Sequence, residues 1–329
     1  MSVTENTNVP LRPALLPDRH PNHDLFICDV LDAIPKDDMA SMEHPIFSLA
    51  TKPDTRLLRY ENNRVCVEIA PSIRGLATIF DKDILIFCIS QMIAKRNQGL
   101  PLAQTIELNA HEFLIWSNRE TSGRGYGRLK DAFERLAGTR ITTNITAGGE
   151  EITSGFGLID SWRIVRETRS GRMSQIRVRL SDWMFKMVEE AAVLTLSRDY
   201  FRLRKPVERR IYEIARKHCG EQSEWRISVA LLHKKVGASS HDRGFKAMVR
   251  ELADQDHLPD YSVELVDKMV IFHNRMAPSP ASGAAYPRLI PDTFNDAKIV
   301  APGYDVYALE QQWREFWEDS GRPKLDNPD

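Results

Sequence analysis

No apolar run in this 329-residue chain approaches the ~18 residues a membrane span needs, and the polar start MSVTENTNVPLRP lacks the basic-then-apolar order of a secretory leader. The expected compartment is the cytoplasm, with no membrane partner. Cysteine is scarce: Cys28, Cys66, Cys88 and Cys219 show no CxxC or CxxH spacing, which argues against a zinc site and against a disulfide framework. They read as small buried hydrophobes. No GxxxxGK[ST] loop occurs, so ATP-driven helicase activity has no motif to rest on. The histidines never adopt the His-x-His spacing of a metal-dependent nicking enzyme, His20 and His23 in HPNH being one residue too far apart, and Tyr126, Tyr200 and Tyr212 have packing roles. The expectation is a protein that is not an enzyme and needs no metal or cofactor.

An excess of one charge is also missing, since the formal net charge is −1. A protein that tracks phosphates usually shows a basic excess. The average hides a segregation. Residues 1–60 carry 6 basic and 9 acidic side chains and residues 61–118 carry 5 and 6, whereas 119–250 carry 27 and 16, and 251–329 carry 7 and 15. A basic middle between acidic ends is the electrostatic footprint of phosphate binding, which a merely solvated helical face would not require.

What is present is organised twice over. Residues 1–60 mix Pro and Asp with short apolar patches and read as an irregular arm; RVCVEIA then alternates Val65, Val67 and Ile69 as a strand does, and DKDILIFCISQMIAKRNQG begins at Asp81 or Asp83 and ends on Lys95 and Arg96 before Gly99, as a helix does. QTIELNAHEFLIWSN predicts a strand and a helix capped by Asn109, RETSGRG a polar break, GYGRLKDAFERLAG a second helix, and Ile141–Ile145 with Ile152–Phe156 a hairpin. About 120 residues on, EWRISVALLHKKVG, ASSHDRG, FKAMVRELADQD and YSVELVDKMVIFHN repeat strand, helix, break, helix and hairpin.

Helical phase sharpens the match. At ~100° per residue, Tyr126, Leu129, Phe133 and Leu136 fall within about 80° of one another, while Arg124, Arg128 and Arg135 fall within about 40° on the far side. Phe245, Met248 and Leu252 repeat the apolar face, and Arg243, Lys246 and Arg250 the basic one. Helix, turn, helix and hairpin is the order of the winged-helix variant of the helix-turn-helix, whose second helix faces the major groove. Arg there can grip guanine O6 and N7, or a phosphate. Asp131 on the same face pairs internally or accepts from cytosine N4, the former being favoured. SWRIVRETRSGRMSQIRVRLSDW reads as an arginine-bearing hairpin, a wing or a charge-protected edge strand, and Pro206 as the first turn of the helix opening the second unit, with Arg202, Arg204, Lys205, Arg209 and Arg210 adding phosphate-binding capacity.

The expected fold is α+β: two tandem winged-helix (helix-turn-helix) domains with a flexible C-terminal linker and a short helix. The expected boundaries are an arm over 1–60, domains over 61–180 and 181–275, a Pro-, Ala- and Ser-rich linker over 276–303, and a helix and tail over 304–329 with Tyr307, Trp313, Phe316 and Trp317. That aromatic helix docks on its own domain or on a replication partner. The candidate DNA-contacting residues are Ser122, Arg124, Arg128, Lys130, Arg135 and Arg140 in the first unit, and Arg163, Arg177 and Arg179 on the arginine hairpin. Arg202, Arg204 and Lys205 precede the second unit, which adds Ser239, Ser240, His241, Arg243, Lys246 and Arg250. Backbone N–H groups near Ser122 and Ser239 suit phosphate anchoring.

The segments IAPSIRGLATIFDKDILIFCISQMIAKRNQG, RGYGRLKDAFERLAGTRITTNI, LSRDYFRLRKPVERRIYEIARKHCG and LPDYSVELV, in this order over roughly residues 20–275, resemble the plasmid replication initiator protein A (RepA-type) family of proteobacteria. The stretch APGYDVYALEQQWREFWEDSGRP is similar to a tail motif of that family. The resemblance implies two winged-helix domains that recognise repeated double-stranded sequences at a plasmid origin, melt or mark the DNA, and recruit the host initiator and replicative helicase. It also implies monomer and homodimer forms, the dimer repressing its own promoter. A transcriptional repressor with no initiator role shares all the DNA-binding chemistry, and a nicking rolling-circle initiator is the remaining alternative.

Overall fold

Branched side chains at alternate positions favour extended backbone, and Val65–Ala70 (β3) buries Val67 and Ile69 on one face. In this computed structural model, which describes residues 15, 25–27, 46–62, 65–97, 99–147, 150–166, 173–190, 194–220, 222–277, 313–314, 316–317 and 320, β3 lies between Leu58–Asn62 (β2) and Arg140–Ala147 (β5). Glu150–Gly157 (β6) completes an antiparallel sheet in the order β2-β3-β5-β6, with Ile69 opposite Ile141. A short pair, Leu25–Ile27 (β1) with Leu194–Leu196 (β9), is also antiparallel.

The helix Lys82–Asn97 (α1) begins at a reciprocal cap. Thr78 N–H donates to Asp81 Oδ2 at 2.8 Å, and Asp81 N–H donates to Thr78 Oγ1 at 3.2 Å, which satisfies two donors that a helix start leaves open. The helix is apolar nearly all round, as a helix enclosed on several sides must be. Ile84, Leu85, Cys88, Ile89, Met92 and Ile93 join one core, while Ile86 joins a second.

After α1 come Thr105–Leu108 (β4), Ala110–Trp116 (α2) and Gly123–Gly138 (α3), then the β5–β6 hairpin, then Ile159–Arg166 (β7) and Met173–Leu180 (β8) in a sheet ordered β4-β8-β7. Beyond Asp182–Glu190 (α4), β9 and a 3₁₀ turn at Arg198–Arg202, the series returns. Pro206–His218 (α5) leads to Glu224–Ser228 (β10), Val229–Val236 (α6), Asp242–Gln255 (α7) and the hairpin Tyr261–Val266 (β11) with Met269–Asn274 (β12), ordered β10-β12-β11. Thr105 and Glu224, Ala110 and Val229, and Gly123 and Asp242 are each 119 positions apart, so the copies run without a gap from the first strand into the second long helix.

The hairpin that follows α3 directly, β5–β6, is formed but pairs with β3 in the separate four-stranded sheet. The counterpart of β11–β12 is β7–β8, because β4 pairs with β8 as β10 pairs with β12. Strand pairing is set by which buried faces meet, here Ile106 and Leu108 with Val178 and Ile176, and not by adjacency in sequence. Of the arginine hairpin, β7 is an edge strand carrying the exposed Arg163, whereas β8 is central and buries Ile176, Val178 and Leu180 beneath an outer face carrying Arg177 and Arg179.

The first core takes in residues from Ile46 and Phe47 to Met184 and Val188, so part of the stretch read as an arm is core and β2 besides. The second core runs from Leu196 to Phe272 and includes Ile211, Tyr212, Phe245 and Leu252. The expected linker beyond Ala277, Tyr307 and most of the stretch expected as a C-terminal helix lie outside the described residues; Trp313, Arg314, Phe316 and Trp317 are helical, with Phe316 exposed.

Candidate nucleic-acid interface

Helix α3 starts where Ser122 holds extended backbone and its hydroxyl donates to the Glu120 carboxylate, so the side chain does not cap the helix. The turn before it is tight. A Cβ on the buried Gly125 would lie 2.0 Å from the Glu120 carbonyl oxygen, so only glycine lets the chain enter the helix at this angle. Leu129, Ala132, Phe133 and Leu136 are buried, which fixes the outward side.

That outward side is not uniform. Arg124, Gly127, Arg128 and Lys130 are exposed, Arg128 with 67% of its side chain, but the C-terminal half of the helix is covered. Arg135 forks onto Asp81 with both carboxylate oxygens at 2.7 and 2.8 Å, only 19% of its side chain exposed, and these bonds raise its pKa further. Gly138 packs on Ser72, and Arg74 from the same turn holds Glu134 at 2.7 Å, while Lys130 reaches Glu134 at 3.5 Å. Arg135 is therefore a structural anchor, and the expected trio reduces to Arg124 and Arg128 on the presented half.

Helix α7 follows the same plan with different residues. Its core face is Phe245, Val249 and Leu252, and Arg243 and Arg250 are exposed with no ion pair among the described residues. Lys246 donates to the Asp267 carbonyl at the tip of the β11–β12 hairpin, at 2.8 Å. Counting by the 119-residue offset, Arg128 corresponds to Ala247 and Asp131 to Arg250, so the two helices present different side chains on one scaffold. His241 is the backbone N-cap without a side-chain bond. Ser239 and Ser240 line a cleft of about 510 Å³ that Phe47, Asp54 and Arg56 bound from the other side, so the turn before α7 faces the first unit. There His233 stacks on Phe245 at 4.4 Å, its ring nitrogens 2.9 Å from Asp242 Oδ1 and 3.0 Å from the Ala238 carbonyl.

The remaining candidates divide. Arg163, Arg177 and Arg179 are exposed on the β4-β8-β7 sheet, but Arg177 holds Glu107 at 2.7 Å and Arg179 lies near Asp160 and Asp182. Arg140 is exposed and bonds the Gly155 carbonyl at 3.4 Å. Arg204 is exposed, Arg202 pairs with Asp199 at 2.8 Å, and Lys205 reaches both Glu208 at 3.3 Å and Glu251 at 2.8 Å. Arg209 and Arg210, also read as phosphate ligands, are corrected: Arg209 has 4% of its side chain exposed and binds Asp83 at 2.7 Å, and Arg210 turns to Glu213 at 3.4 Å. Burial works against the Arg209 charge, but Asp83, Tyr200 and Glu213 outweigh it and its pKa rises.

Sequence reasoning missed the charged cluster between the units. Asp83 accepts from Arg209 and from Arg119, the latter also donating to the Phe80 carbonyl. Lys82 holds Glu213 at 2.9 Å, and the Tyr200 hydroxyl donates to the same carboxylate at 2.7 Å. Trp116 lies against Phe201 with ring centroids 4.7 Å apart. The available signal was the run DKD at a helix start opposite ERR at another, which a single sequence does not pair.

A family model described as replication initiator protein A matches residues 36–263. The chain belongs to that family. It is 39% identical over 246 residues to a provisionally named replication protein of Wigglesworthia glossinidia brevipalpis, covering 73% of this chain and 89% of that one. The crystal structure of RctB domains 2-3 is similar in fold, with a TM-score of 0.50 at 12% identity over 71% of this chain and 96% of that one. A role in replication initiation goes with membership of the replication initiator protein A family.

Proposed function

We propose that this member of the replication initiator protein A family is a plasmid initiator that binds repeated double-stranded sequences at an origin through two winged-helix units. It works without chemistry of its own and brings host replication proteins to the DNA. The carrying observation is the repeated unit: at a constant offset, two helices present exposed arginines, Arg124 and Arg128 on α3 and Arg243 and Arg250 on α7, from opposite ends of the basic middle of the chain. In a helix-turn-helix the N-terminal residues of the second helix reach base edges, and in α3 that half is the exposed one. Because the two sets of side chains differ, the halves of each repeat read by α3 and α7 are different sequences.

Tyr200 and Tyr212 support the absence of strand-transfer chemistry. Both are buried, burial pushes their pKa values well up, and their hydroxyls are taken up by Glu213 and by Asp260 at 2.6 Å. The test is a pair of double variants, Arg124→Ala/Arg128→Ala and Arg243→Ala/Arg250→Ala, titrated against a specific duplex and a scrambled one. Each should relax preference in its own half of the repeat, at about 1–3 kcal/mol per lost bidentate base contact. Unchanged preference in both halves would remove α3 and α7 as the reading helices.

A further inference from the structure

Ion pairs run in series from one presented helix to the other. Arg135 on α3 grips Asp81 at the start of α1, at 2.7 and 2.8 Å. Two residues on, Asp83 of α1 holds Arg209 of α5 at 2.7 Å, with Lys82 and Glu213 beside them at 2.9 Å. Lys205, the backbone N-cap of α5, reaches Glu251 of α7 at 2.8 Å. Each link joins a different pair of helices: α3 to α1, α1 to α5, α5 to α7.

We propose that this series is a strut that fixes the separation and rotation of α3 relative to α7, and so sets the spacing between the two half-sites that the protein accepts. The inference rests on α3 and α7 being the reading helices. Arg135, Asp81, Asp83, Arg209, Lys205 and Glu251 are then positioning residues, and Arg135 and Lys205 leave the list of DNA contacts.

Three features make the strut stiff. The middle link is dry, with Asp83 and Arg209 showing 1% and 4% of their side chains, where an ion pair is screened least. The Arg135 fork constrains orientation as well as distance, because a planar guanidinium meets a carboxylate along two parallel bonds. Helix α1 cannot slide, since its side chains are built into both cores and the Arg209 guanidinium is held over Phe80 at 4.5 Å and Tyr200 at 5.0 Å. Each base pair inserted between two half-sites moves the second one by ~3.4 Å and turns it by about 35°. A rigid pair of helices cannot follow.

The experiment uses full-length protein and a duplex selected by the wild type from a randomised pool, remade with the gap between its halves changed by −1, +1, +2, +5 and +10 base pairs. Wild type should lose at least about 30-fold in affinity at +2 and at +10, since a full extra turn restores the face but not the distance. The double variant Asp81→Asn/Glu251→Gln should bind the selected duplex about 3- to 10-fold more weakly and discriminate among gaps at least about threefold less than wild type, because α3 and α7 lose their outer links to the Asp83–Arg209 centre and must be ordered on binding. Electrostatics alone predicts the opposite sign, as removing two acids strengthens binding to a polyanion. Glu251→Gln alone, at a half-exposed site, carries the same test without burdening the fold.

A wild type that is sequence-specific yet indifferent to the gap, or variants as selective as wild type, overturns the strut and leaves the functional reading standing. Failure of the wild type to select any consensus sinks that reading, and the strut with it.

Discussion

Asp83 has 1% of its side chain exposed and pairs with both Arg209 and Arg119. Removing one partner of a buried pair leaves an uncompensated charge, so Asp83→Ala should cost about 3–5 kcal/mol in urea unfolding, several times the cost of truncating an exposed pair such as Arg226 with Glu224. A loss under about 1 kcal/mol would mean that water reaches the cluster. Asp54 gives a pH-resolved case. Arg56 donates to both its oxygens and holds its pKa at about 2, below the ordinary 3.8. A depressed carboxyl stabilises the fold above about pH 4 and loses that contribution as pH falls toward 2. The stability difference between wild type and Asp54→Asn should therefore shrink over that window, and a difference constant from pH 6 to pH 2 would contradict the assignment. The Asp54–Arg56 pair is local, but the pairings that join distant segments could not be read from the sequence. Arg135 and Asp81 are 54 positions apart, Arg209 and Asp83 are 126, and charge at one position does not announce a partner at such a distance.

Among the elements, the helices were the legible part. Asn109, whose side chain accepts from His111 and Glu112 N–H, and the stripe Leu129, Phe133, Leu136 specify α2 and α3 through local chemistry, and the same holds for Pro206 in α5 and Phe245 and Leu252 in α7. The hairpins were legible as hairpins but not by partner, since β5 finds β3 across 70 to 76 positions while β8 finds β4. Side-chain phase marked Arg124, Arg128 and Arg135 as one face, yet phase says nothing of what packs over the far end of a helix, and so Arg135 and the buried Arg209 were misread. The tight entry to α3 yields a direct test. Gly125→Ala must push its Cβ against the Glu120 carbonyl or displace the turn, an overpacking cost of about 1–3 kcal/mol. Gly127→Ala, on the open side of the same helix, should be neutral or stabilising. Equal melting temperatures for the two variants would contradict the close approach.

Across the whole molecule, two cores share α1, and the basic middle of 27 cations against 16 acids takes in both α3 and α7 up to Arg250, while the acids concentrate at the ends. Several of those cations are spent internally, on Asp81, Asp83, Asp199 and Glu213, so the count overstates the number of phosphates the chain can meet. The salt dependence should reflect the exposed set instead. The most direct measurement is a salt-series titration of the purified chain against a plasmid-origin duplex and a scrambled duplex of equal length, without metal and with Mg²⁺, followed by a denaturing gel. Origin-selective binding is expected, with log K falling against log salt at a slope of about −0.9 per phosphate contact and both strands intact. Equal affinity for the two duplexes, or a strand nicked in the presence of Mg²⁺, would contradict it.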